Sequence, residues 1–210
     1  MTRIKICGIT NPDDARWAAD CGAHALGFVF AESPRRITPE RAGEILNDFG
    51  PFVTGVGVFV NSPPQEVRSA LEESACTVAQ LHGDESVDYA RALAPYTVIR
   101  AFRVDSALDV TAIGRYKGLR AIVLDTYVAG QMGGTGRRFD PAVAARLVKE
   151  GWRVIVAGGL TPENVAEVIC SVRPYGVDVS SGVEAAPGRK DPEKVARFIA
   201  AVRAADAQGS

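Results

Sequence analysis

Short apolar runs rich in β-branched residues recur eight times along this chain, and helix-start signals lie between them. The runs are read as strands at Arg3–Cys7, Ala25–Phe30, Thr54–Val60, Thr77–His82, Thr97–Arg103, Leu119–Asp125, Trp152–Ala157 and Tyr175–Ser180. Asn11-Pro12-Asp13-Asp14 pairs an N-cap residue with proline at the first helical position. Thr38-Pro39-Glu40, Asp140-Pro141, Thr161-Pro162-Glu163 and Asp191-Pro192-Glu193 repeat that pattern. A strand followed by a helix and then another strand requires parallel pairing, because a crossover has to return the chain to the same edge of the sheet.

Eight such units in 210 residues leave room for little besides strand, loop and helix. The expected architecture is α/β, a single (β/α)8 TIM barrel at the short end of its size range. The rival is an open doubly wound sheet, which usually has about five or six strands and a GxGxxG turn after the first. Here that turn reads Cys7-Gly8-Ile9-Thr10-Asn11. Without a linker or low-complexity stretch, one barrel domain is expected over 1–210, with a small polar tail fraying from about 204.

Charge and cysteine usage narrow the partners. A net charge of −1 supplies no field to gather nucleic acid or an anionic membrane, so any anion has to be bound locally. No apolar run reaches the length of a membrane span, and Met1 leads straight into a strand-like segment, so no secretory leader is expected. The four cysteines, at 7, 21, 76 and 170, show no CxxC spacing, and the only histidines are 24 and 82. We expect no metal site, a reduced cytoplasmic setting and a monomer or homodimer acting on a small molecule.

Period-two alternation sorts each strand into a face toward the helices and a face toward the barrel axis. It places Arg3, Lys5 and Cys7 inward on the first strand and Gln80 and His82 on the fourth. Asp125 ends the sixth strand inward, and Asp178 and Ser180 point inward on the eighth. On the third strand, Val56, Val58 and Val60 are expected against the helices, with Gly55, Gly57 and Phe59 inside. The C-terminal rim carries the active site of such barrels. Cys7 and Asp125 end non-adjacent strands there, as befits a base and an acid on opposite sides of a substrate. Plainer readings stand beside these: a lone cysteine is more often a small buried hydrophobe, and a strand-end aspartate is often a helix cap. Lys5 and Asp178 can form an interior ion pair, and His82 can serve as a structural donor.

Two glycine-bearing segments follow the last two strands, Ala157-Gly158-Gly159-Leu160 and Ser180-Ser181-Gly182-Val183-Glu184. In barrels of this kind those loops often hold a phosphate on backbone N–H groups. A third cluster, Gly133-Gly134-Thr135-Gly136, lies in the longest inter-strand interval and is read either as a lid or as a plain loop. Ser33-Pro34-Arg35-Arg36 brings two guanidinium groups to the same rim, where one can grip a carboxylate with a bidentate fork.

With these positions in place, the chain resembles the phosphoribosylanthranilate isomerase family. The resemblance rests on Lys5-Ile6-Cys7-Gly8-Ile9-Thr10, Gly27-Phe28-Val29-Phe30, Ser33-Pro34-Arg35, Gln80-Leu81-His82-Gly83 and Leu124-Asp125. It continues through Gly133–Gly136, Gly158–Val165 and Val177–Glu184, so it covers nearly the whole chain in the family's order. It implies a cofactor-free Amadori rearrangement of N-(5'-phosphoribosyl)anthranilate in tryptophan biosynthesis. By the same resemblance Cys7 is the base, Asp125 the acid and Arg35 the holder of the anthranilate carboxylate. His82, Gly134 and Asp178 are assigned to the substrate, and Gly158, Gly159, Ser180, Ser181 and Gly182 to its phosphate. Two rivals fit less well. The histidine-pathway isomerase uses two aspartates and phosphate sites on both halves of the barrel. A non-catalytic metabolite-binding barrel needs the phosphate loops but not Cys7 and Asp125 together.

Overall fold

The computed structural model describes residues 1–104, 110–125 and 141–208. The eight expected strands are all present: β1 Arg3–Cys7, β2 Ala25–Val29, β3 Thr54–Phe59, β4 Val78–Leu81, β5 Thr97–Arg103, β6 Ala121–Asp125, β7 Val154–Ala157 and β8 Gly176–Val179. They pair in parallel in sequence order, and β8 closes onto β1. The chain is a (β/α)8 TIM barrel. Several strands are a residue or two shorter than their apolar runs, because pairing stops before β-prone sequence does.

Eight helices are described: α1 Pro12–Cys21, α2 Pro39–Leu46, α3 Pro64–Ser74, α4 Val87–Ala92, α5 Val110–Ile113, α6 Pro141–Lys149, α7 Val165–Val172 and α8 Pro192–Gln208. Four of the expected prolines (12, 39, 141 and 192) are the first residues of their helices. At that position the missing N–H costs nothing, since it has no intrahelical partner anyway. Asn11 and Thr38 cap α1 and α2 by accepting from the backbone N–H groups of Asp14 and Arg41. The remaining signal, at Thr161-Pro162-Glu163, misplaces its helix. After Thr161-Pro162-Glu163 the chain makes a turn, and α7 starts at Val165, because the Asn164 side chain folds back to accept from Thr161 N and donate to Gly159 O.

Two further expectations fail. The chain does not fray from about 204 but stays helical to Gln208, where Asp206 accepts from both the backbone N–H and the hydroxyl of Thr2. The two faces of β3 are also inverted. Val56 packs inside the barrel with Ile99, Ala101, Ala121, Val123 and Ala157 from β5, β6 and β7. Gly55 and Gly57 face outward, where a Cβ on Gly55 would press on Leu46 and Cys76, and Phe59 joins the outer core beneath the helices. In a parallel barrel both faces are buried, so apolarity alone cannot tell them apart. The interior is a packed layer of branched side chains rather than a pore.

A short antiparallel hairpin, β9 Glu184–Ala186 with β10 Arg189–Lys190, follows β8 before α8 begins. Among the described residues, no helix is long and apolar enough to cross a membrane. All four cysteines are free thiols.

Candidate active site

Strand register determines which side chains meet at the C-terminal rim. Cys7 lies beside Gly27 of β2, and Lys5 lies beside Asp178 of β8. Gly27 leaves room for both. A Cβ there would sit 2.7 Å from the Cys7 sulfur and 2.9 Å from Lys5 Cε, so the two side chains converge on the space above that glycine. Lys5 Nζ donates to Asp178 Oδ2 at 2.7 Å, and both side chains are 6% exposed. The interior ion pair is therefore formed. It leaves Asp178 Oδ1 buried without a hydrogen-bond partner among the described residues, as is the Ser180 hydroxyl.

Burial pushes the Cys7 thiol above its ordinary ionisation range; the charges of Lys5 and Lys190 pull it down, and Asp178 pushes it further up. Burial also works against the Lys5 charge, but Asp178 and Cys7 outweigh it and hold the ammonium protonated well above its usual range. The lysine is thus a fixed positive charge beside the sulfur. Lone Cys76, by contrast, is pushed up to about 11 by burial, with only the Ser74 hydroxyl in opposition.

Across the barrel, Asp125 ends β6 in register with Arg103 and Ala157. Its Oδ2 lies 3.0 Å from Nε2 of His82, which follows β4. The loop bearing His82 is held by buried Arg100, which donates to the carbonyls of Leu81, Ala101 and Gly83. The Glu85 carboxylate accepts from the backbone N–H of Gly83 on the same loop and from that of Asn61 on the loop after β3.

Arg35 is engaged. Its Nε and Nη2 donate to the two carboxylate oxygens of Glu184 at 2.8 and 2.7 Å. Lys190, whose side chain is fully buried, donates to Glu184 Oε1 at 2.8 Å. No motif or spacing in the sequence marks a role for Glu184 or Lys190. Both belong to the hairpin after β8, and only the fold brings them to Arg35.

Gly158 and Gly159 adopt φ of +82° and +65°, a left-handed pair that side chains resist, which turns the chain sharply out of β7. A Cβ on Gly182 would collide with the backbone carbonyl of Leu160, so the loops after β7 and β8 touch directly. Ser181–Val183 form a single 3₁₀ turn in the second loop. Gly134 and the rest of the Gly133–Gly136 cluster lie outside the described residues. Among the described residues, no group of three histidine, cysteine or acidic side chains is placed to hold a metal ion.

Comparison with known proteins gives a consistent result. The family model described as N-(5'phosphoribosyl)anthranilate (PRA) isomerase matches residues 4–201. An N-(5'-phosphoribosyl)anthranilate isomerase of Trichlorobacter lovleyi is 50% identical over 200 residues, covering 95% of this chain and 97% of the relative. The crystal structure of phosphoribosyl anthranilate isomerase from Thermotoga maritima, elsewhere described as a dimeric enzyme, superposes with a TM-score of 0.88. It shares 40% identity over 97% of this chain and all of the other. A further structure of that enzyme type is complexed with reduced 1-(o-carboxyphenylamino)-1-deoxyribulose 5-phosphate. It superposes with a TM-score of 0.85 at 38% identity, over 97% of this chain and 100% of that one. On sequence and fold alike, the chain belongs to the N-(5'-phosphoribosyl)anthranilate isomerase family.

Proposed function

We propose that this isomerase converts N-(5'-phosphoribosyl)anthranilate into 1-(2-carboxyphenylamino)-1-deoxyribulose 5-phosphate, as a cytoplasmic enzyme of tryptophan biosynthesis. The observation that carries the reading is the division of the rim. A sulfur beside a buried ammonium ends β1, and a carboxyl paired with an imidazole ends β6.

In this reading Asp125 gives its proton to the ribose ring oxygen as the C1'–O bond breaks, and the nitrogen lone pair forms the iminium. Cys7, acting through its thiolate, removes the C2' proton, and the electron pair left behind neutralises the iminium as an enolamine. Tautomerisation of the enolamine gives the ketose. His82 orients Asp125, and the Lys5 charge offsets part of the burial that otherwise keeps the sulfur protonated. Arg35 grips the anthranilate carboxylate. Asp178 Oδ1, buried with accepting capacity to spare, suits a sugar hydroxyl, and the Ser180 hydroxyl can donate to the phosphate. The phosphate falls to Gly158, Gly159, Ser181 and Gly182, where backbone can approach an anion closely. Gly134 completes the substrate contacts. All of this chemistry is acid–base chemistry, so the reading requires no cofactor. We further propose a single barrel domain acting as a monomer or homodimer.

The test is direct. Purified protein mixed with N-(5'-phosphoribosyl)anthranilate should abolish anthranilate-type fluorescence at a rate proportional to enzyme and release the deoxyribulose product. Persistent fluorescence under those conditions would sink the reading.

A further inference from the structure

Arg35 reaches the rim by an indirect route. Its aliphatic shaft lies over Gly8, the residue after Cys7: a Cβ on Gly8 would stand 2.6 Å from Arg35 Cδ and 3.0 Å from the Ser180 hydroxyl. Its head then docks on Glu184, 149 positions away in sequence, through Nε and Nη2. Glu184 is itself fixed. Its side chain is 5% exposed, Lys190 Nζ donates to Oε1, and the backbone N–H of Gly188 donates to the same oxygen. Lys190 is anchored in turn by its backbone N–H, which donates to Asp14 Oδ2 on α1. Burial resists the Glu184 charge, but Arg35 and Lys190 overcome this and hold the carboxyl below its ordinary range.

A planar guanidinium carries two bidentate forks: a side-on pair made by Nε with one Nη, and an end-on pair made by the two Nη atoms. Glu184 uses the side-on fork. We propose that Glu184 is a positioning residue for substrate recognition: it sets the plane of Arg35 so that the end-on fork meets the aryl carboxylate, and Lys190 fixes Glu184 in that role. The inference rests on the carboxylate role proposed for Arg35. It adds that carboxylate selectivity is set by a residue that does not touch substrate. Holding the fork before substrate arrives also removes the rotamer freedom that a long arginine would otherwise lose on binding.

The test compares two substrates, N-(5'-phosphoribosyl)anthranilate and its aniline counterpart lacking the carboxylate. Glu184→Gln removes the charge and one of the two acceptors. It should lower kcat/KM for the carboxylated substrate about tenfold or more while changing that for the aniline compound by less than about threefold. The ratio of the two is the diagnostic, because a general loss of structure lowers both alike. Glu184→Gln with Lys190→Met, which removes the stranded buried ammonium, should keep the loss of selectivity. Glu184→Asp, with its charge intact and a shorter reach, should give the same selective defect, and it serves if the glutamine variant does not fold. An unchanged ratio in these variants overturns the inference. If the unaltered protein rearranges neither substrate, it is the proposed function that fails.

Discussion

Cys7 is surrounded by ionisable side chains that have almost no contact with water, Lys5, Asp178 and Lys190. Asp125 instead meets His82, and their side chains keep 18% and 25% of their exposure. Charges on the first side act at short range through a poorly screened medium, so small changes there have large electrostatic consequences. Solvent moderates the second side. The difference teaches where each group is held: the base among fixed, buried charges in the barrel wall, the acid beside His82 at a mouth that stays open to water.

The largest expected effects test whether both sides are needed. Cys7→Ala and Asp125→Asn should each lower turnover by about 10²–10⁴-fold, the usual contribution of a positioned acid or base. Binding of inorganic phosphate, followed by thermal shift, should survive in both variants. Near-normal turnover in either would leave the barrel mouth without its division of labour.

Lys5→Met probes the buried side. Losing the ammonium removes an influence that pulls the thiol down, so Cys7 ionises at still higher pH and the rising limb of kcat/KM moves alkaline. A shift of about one pH unit lowers kcat/KM near pH 7.5 about tenfold, whereas Lys5→Arg should retain most activity. Stranding Asp178 also costs about 3–5 kcal/mol of stability, so the pH profiles are compared under conditions where calorimetry shows the variant folded. A profile in Lys5→Met that overlays the parent's would refute this control of the base.

His82→Asn should have a milder effect, a loss of roughly three- to tenfold, because a partly exposed pair is screened by water. The alkylation rate of Cys7 should not change. Parallel loss of both would mean that the two sides are coupled after all.

The smallest effect leaves catalysis untouched and sharpens the meaning of a buried thiol. Peptide-level mass spectrometry after brief iodoacetamide treatment at pH 8.5 should find Cys7 modified well before Cys76. The latter is 2% exposed, whereas Cys7 is only partly buried and has the Lys5 ammonium beside it to oppose its burial. Faster modification of Cys76 would refute the contrast.

Much of this architecture was legible because its signals are local. β-branched runs marked all eight strands, and four of the five proline signals fell on first helical residues. The failures have a common cause. Which face of β3 turns inward depends on neighbours in a sheet buried on both sides, and the start of α7 depends on a side chain folding back five residues to Gly159. The tail is held by a contact spanning nearly the whole chain, Thr2 to Asp206. At the rim, the strand-end residues Cys7 and Asp125 followed from register. Arg35 was legible as a guanidinium near the mouth, but its pairing with Glu184 and Lys190 was not, since no spacing rule links residues so far apart.

The contact between Gly182 and the Leu160 carbonyl bears on how this barrel can be re-engineered. Two loops that share a backbone surface have to fit each other. Chimeras that cross over between 160 and 182 join one parent's β7 loop to another's β8 loop and place the seam at that surface. Crossovers upstream of β7 keep the unit whole, and libraries that vary both loops together, with glycine retained at 182, should yield more folded members than libraries that vary either loop alone.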